Sequence, residues 1–188
     1  MPTLREMAYA LFGAYRLALM DISGLAYFNR STAAAARSFF AAVLTFPAYV
    51  VLVTLRLSEN GTDTTLSNFF VVELIAYVIS WTAYALIMND LTHFLDRSDR
   101  YPVFLSAYNW SAVLQMIVYL PLVLLNASGI LPDPIGETIV FVTSMAILAY
   151  QWYITQVSLD LPAFPAAALV ILDLALSVFI SGVADGML

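Results

Sequence analysis

Asp173 stands near the middle of AAALVILDLALSVFISGV, Ala166 to Val183, a run long and apolar enough to cross a bilayer. A carboxylate placed there costs at least about 2.5 kcal/mol on insertion scales, so it demands either a function or a partner. Glu73 poses the same question about one turn inside NFFVVELIAYVISWTAYALIM. If the two acids faced one cavity they would bind a proton or a cation. The alternative is a neutral Asp173 carboxyl donating a hydrogen bond to Asn109, Gln115, Thr143, Ser144 or Gln151, holding helices together. That packing role is the favoured reading, because interhelical polar contacts are more often glue than pathway. For the same reason Asn109 and Gln115, which do not share a helix face, and Gln151, stacked on Thr155 four residues later, read as packing groups that could also line a path.

No other chemistry is legible. The chain of 188 residues contains no cysteine, which excludes a disulfide framework, a thiolate metal site and a cysteine nucleophile. It has one histidine, His93, and no His/Glu pair at helical spacing, so no catalytic metal centre, cofactor or catalytic residue is expected. No nucleophile, base and orienting group come together in the sequence, and a non-enzymatic role is expected. The segment Asp96, Arg97, Asp99 and Arg100 is the most charged and is the candidate contact for a partner or for lipid headgroups. Its alternating signs fit a local ion-pair cluster better. Nothing points to nucleic acid, since the formal net charge is −6.

The elements that must position these residues are membrane spans. The chain is 62% hydrophobic and only 11% charged, against about 25% charged in soluble domains. Five runs satisfy the roughly 20 apolar residues a helix needs to cross a bilayer: about 33–56, 68–89, 102–126, 137–159 and 163–184. They lack the alternation of barrel strands, so an all-α bundle of five transmembrane helices is expected over 31–188. Asn60-Gly61, the charged NDLTHFLDRSDRY, and Gly129, Pro132 and Pro134 separate the spans, while only DLPAFP joins the last two. Pro47 and Pro121 lie inside the first and third spans.

The segment 1–30 lacks the features of a cleavable leader and is expected to be retained. Leu4, Met7, Leu11, Ala14 and Ala18 recur at helical spacing, which suits either a helix lying on the inner leaflet or one docked on the bundle. Gly24 is expected to break it, and Ser31 or Thr32 to cap the next helix. All seven basic residues are arginines. Arg5, Arg16, Arg30 and Arg37 precede the first span, and Arg97 and Arg100 follow the second, so the N-terminus is expected inside and the C-terminus outside. Arg56 is the exception and is expected to snorkel to the outer interface.

This layout resembles the Yip family, the Ypt-interacting proteins and their bacterial relatives. The resemblance rests on a cytoplasmic N-terminal segment, five crowded spans, a charged second connection leading into YPVFLSAYNWS, and a very short fourth connection. The family's Asp-x-x-Gly-Pro element is met by Asp21-Ile22-Ser23-Gly24-Leu25, with Leu25 in the proline position. Its Gly-Tyr element is met by Ala107-Tyr108, with alanine for glycine. The resemblance implies a scaffold or adaptor in a bacterial inner membrane, in contact with the lipid bilayer and with other membrane proteins or further copies of itself. Two other classes remain open. One is a small transporter or channel subunit using Asp173 and Glu73, and the other is an accessory subunit of a larger membrane complex. Five spans without an internal repeat are few for a complete secondary transporter.

Overall fold

A computed structural model describes residues 1–62 and 64–188. Seven α-helices follow one another: α1 (Leu4–Ala18), α2 (Thr32–Ser38), α3 (Phe40–Asn60), α4 (Leu66–Phe94), α5 (Tyr101–Ala127), α6 (Asp133–Leu159) and α7 (Ala163–Asp185). A 3₁₀ turn, Ile22–Tyr27, links α1 to α2. The pair α2–α3 and the helices α4 to α7 form five segments long and apolar enough to cross a membrane. A 27-residue helix such as α5 is about 40 Å long, which exceeds a hydrocarbon core of about 30 Å.

The outer surface differs from a soluble bundle's in being largely apolar along the spans. Val71, Ile75, Val78 and Leu86 on α4, Phe141 and Val142 on α6, and Ile171, Val178 and Phe179 on α7 point outward. Ser38, Thr45, Glu73, Thr92, Ser106, Asn109, Ser111, Thr155, Ser158 and Asp173 are buried. Apolar surfaces facing out and polar groups satisfied within suit hydrocarbon as the solvent. The chain is an all-α integral membrane protein.

Helix α5 is the hub, packing on α1, α2, α3, α4 and α6, while α7 lies against α4 and α6. The first half of α5, from Pro102 to Val113, is largely buried. Its small residues allow this: Ala107 has no exposed surface, and with Ala10, Ala14 and Ala41 it lets α1 and α3 approach closely around Trp110, Tyr150 and Ile154.

The helix ends differ from the sequence expectation in instructive ways. Helix α1 stops at Ala18, well before Gly24, because Met20 takes a left-handed φ of 59° and the Asp21 N–H closes back onto Arg16 O at 3.0 Å. The same closure ends α4 and α6, with Asp96 (φ 55°) and Asp160 (φ 53°) in the left-handed position. Helix α4 therefore continues through Asn89–Phe94, which the sequence suggested was connection. Pro134 does not stop a helix but sits in the first turn of α6, where its missing N–H is harmless. Gly61, at φ 68°, ends α3 by donating to Leu57 O at 2.9 Å. Ser31 caps α2 by accepting the Ala34 N–H at 3.2 Å.

Candidate functional site

The corner after α1 is built by the Asp21-x-x-Gly24 element. The Asp21 carboxylate accepts the Ser23 N–H at 3.0 Å and the Ser23 hydroxyl at 2.6 Å, while Arg16 Nε donates to its other oxygen at 2.7 Å. Those donors, the Ser23 bonds first and Arg16 after them, hold the Asp21 carboxyl below its ordinary pKa. Gly24 then lies directly on Gly13. A Cβ on Gly24 would stand 2.5 Å from Gly13 O, and one on Gly13 would stand 2.8 Å from Gly24 O and 2.9 Å from Tyr27 Cβ. Glycine here serves close approach of two backbones, not the breaking of α1.

Three long-range bonds fasten α1 and this corner to the bundle. The Tyr150 hydroxyl donates to Ala14 O at 2.6 Å, the Tyr153 hydroxyl to Met20 O at 2.7 Å, and Arg37 pairs with Glu6 at 2.9 Å. The helix is docked through Ala10, Gly13, Ala14 and Leu17. Its opposite face carries Leu4, Phe12, Tyr15 and Leu19 exposed, beside Arg5 and Tyr9. Both positions weighed for this segment thus have a counterpart, a docked inner face and an outward apolar one.

At the same end of the bundle, the charged connection is held differently from the expected local cluster. Arg100 pairs with the Asp160 carboxylate at 3.1 Å, and Arg97 reaches Asp160 O at 3.5 Å as well as Asp96 O at 3.1 Å. Among the described residues, neither Asp96 nor Asp99 forms an ion pair. The alternating charges do not pair with one another, because Asp160, on the left-handed turn between α6 and α7, faces both arginines.

The two intramembrane acids do not share a cavity. Glu73 is buried, accepts the Tyr49 hydroxyl at 2.6 Å and is ion-paired with Arg56, which also reaches Asp185 at 3.3 Å. Arg56 thus does more than snorkel to the interface: half-exposed at the end of its helix, it pairs with buried Glu73. Arg56 lies about one turn before the end of α3 and Glu73 about two turns after the start of α4, so the α3–α4 hairpin brings them together. Below them Tyr77 stacks on Tyr49 with ring centroids 4.5 Å apart and bonds Thr45 at 2.8 Å, continuing a polar seam between α3 and α4.

Asp173 is also satisfied, by a residue the sequence reasoning overlooked. The Tyr108 hydroxyl donates to Asp173 Oδ2 at 2.6 Å. Its partner is none of the five nominated. Tyr108 packs against Tyr84, whose hydroxyl donates to Leu169 O at 3.2 Å, so α4, α5 and α7 meet at this point. Tyr108 belongs to the Ala107-Tyr108 pair that carried the family resemblance, which was the available signal. Asn109 instead donates to Ser38 Oγ at 2.8 Å, at the α2–α3 junction. Gln115 donates to Ser111 at 3.4 Å and accepts from Gln151 at 3.5 Å, an α5–α6 contact beside a cleft that Asp173 also lines.

Among the described residues, no group of histidines and acids is placed to hold a metal ion. Comparison with protein-family models, with curated proteins and with solved structures found no match to this chain.

Proposed function

We propose that this chain is a non-enzymatic scaffold or adaptor of the Yip type in a bacterial inner membrane, with its N-terminus in the cytoplasm. The observation that carries the proposal is the docked α1. It is fastened to α6 by two tyrosine hydroxyls and to α2 by an ion pair, yet turns Phe12, Tyr15 and Leu19 outward beside Arg5. A rigidly held helix with an amphipathic free face suits contact with a membrane-bound partner. The α4–α5 connection, pinned by Asp160, completes a preformed surface at that end. The arginine distribution supports a cytoplasmic position for that surface.

The polar groups within the spans support the same reading. Glu73 and Asp173 each have partners on neighbouring helices and lie in separate places, as joints do. Photo-crosslinking residues at Phe12 and Arg97 in intact membranes test the proposal. Discrete protein adducts, absent from control positions Phe141 and Val178, are expected; identical patterns at all four positions would contradict it.

A second reading has one observation in its favour. Asp173, Gln115 and Gln151 border one cleft of about 600 Å³ between α5, α6 and α7, where a small transporter subunit would hold a substrate. An accessory subunit of a larger complex would instead use the exposed apolar faces of α4 and α7.

A further inference from the structure

The cleft beside Asp173 has a chemistry of its own. Helix α6 packs on both α5 and α7, leaving a space of about 600 Å³ bordered by all three. That is within the range of about 300–1,000 Å³ usual for small-molecule sites. Its mouth lies on the outer surface of the bundle, because Met145 and Leu174 on its rim are exposed. Most of the wall is apolar, with Met116, Ile147 and Leu148 prominent. The polar side chains are Gln115, Tyr119, Ser144, Gln151, Asp173 and Ser177, contributed by three helices to one space.

Depth restricts the occupant. Asp173 follows ten residues after the first residue of the 23-residue α7, about 15 Å along the helix and close to the bilayer midplane. A phospholipid headgroup, charged and strongly hydrated, stays at the boundary of the hydrocarbon. A single hydroxyl on an otherwise apolar molecule costs far less to bring to the midplane, and less again when it is hydrogen-bonded on arrival. The acceptors are in place. Tyr108 occupies Asp173 Oδ2, whereas Oδ1 has no hydrogen-bond partner among the described residues, and the residue itself lines the cleft. The amide of Gln151 is tied only by a long 3.5 Å contact to Gln115, and so can turn toward a ligand.

From this juxtaposition we infer that the α5–α6–α7 cleft is a binding site for a neutral lipid with a hydroxyl head, of the diacylglycerol or long-chain isoprenoid alcohol class. The hydroxyl donates to Asp173 and the chains leave between Met145 and Leu174. The site is separate from the α1 surface, so it stands or falls independently of the adaptor reading.

The test uses the full chain in phosphatidylcholine nanodiscs doped with a photoreactive diacylglycerol, with labelled peptides mapped by mass spectrometry. Labelling concentrated at Met116, Met145 and Leu174, reduced at least five-fold by excess dioleoylglycerol and not by extra phosphatidylcholine, is expected. Ser144→Phe, which fills the cleft without touching the Tyr108–Asp173 bond, should reduce labelling at least five-fold while the thermal transition is retained. Asp173→Leu should do the same but with a lower transition temperature. Labelling spread evenly over the outward faces, or insensitive to both dioleoylglycerol and Ser144→Phe, would overturn the inference. So would copies of the chain crosslinking to each other through the cleft.

Discussion

Tyr108 on α5 donates its hydroxyl to Asp173 on α7 at 2.6 Å, joining two helices that otherwise meet mainly through α6 and α4. A carboxylate near the bilayer midplane is thereby given a partner, and the partner's ring is held in turn by Tyr84 and Phe104. Tyr108→Phe should lower stability by about 1–2 kcal/mol, the upper range for an interhelical hydrogen bond. In a double-mutant cycle with Asp173→Ala, which removes the acceptor, measured by unfolding in bicelles, the two losses should be strongly non-additive. Simple additivity would mean that the bond contributes nothing.

The ion pair at the other end of the bundle makes a different prediction. Among the described residues Arg56 alone offsets the charge of buried Glu73, so Arg56→Ala should cost about 3–5 kcal/mol by stranding that carboxylate. Adding Glu73→Gln to Arg56→Ala should recover part of the loss. Equilibrium unfolding of the parent and the two variants checks the sign, and a double variant weaker than Arg56→Ala would refute the pairing.

Gly13 and Gly24 should be intolerant of even one methyl group. Gly24→Ala sets a Cβ against Gly13 O, and overpacking of this kind costs about 1–3 kcal/mol. The damage should be local: protease sensitivity and amide exchange should rise in α1 and the 3₁₀ turn, while the five spans keep their protection.

The Asp21 carboxyl provides a pH handle outside the membrane. Its folded-state pKa is depressed, chiefly by the Ser23 hydroxyl and N–H and then by Arg16. Its contribution is complete at neutral pH and is lost as the pH falls below the ordinary aspartate range toward the lowered value. A carbon-13 titration of Asp21 should find a midpoint below that of a free aspartate, and Ser23→Ala should move it upward. An unchanged midpoint would show that the corner is not held by these bonds.

Much of the scaffold was legible because bilayer thickness and apolar run length constrain each other. The five spans, the short α6–α7 hairpin and the Ser31 cap depend on local sequence alone. Most of the failures share a cause, which is that partners across helices are invisible in a single sequence. Arg56 and Glu73 are 17 positions apart and meet only because their hairpin sets them level. Tyr108 stands out in the sequence only through the Ala107-Tyr108 element, whereas its hydroxyl reaches 65 positions to Asp173. Likewise Arg97 and Arg100 looked paired with neighbouring acids, but Asp160 arrives from another connection. The end of α1 at Met20 was unreadable too, because methionine carries no preference for a left-handed turn.

The central claim is that the acids within the spans are joints and that the protein acts through its α1 end. Proton and cation flux into proteoliposomes containing the parent chain or Asp173→Asn tests it most directly. The account predicts no flux above empty liposomes for either, with the variant folded and measurably less stable. Flux through the parent that disappears in a folded Asp173→Asn protein would contradict it.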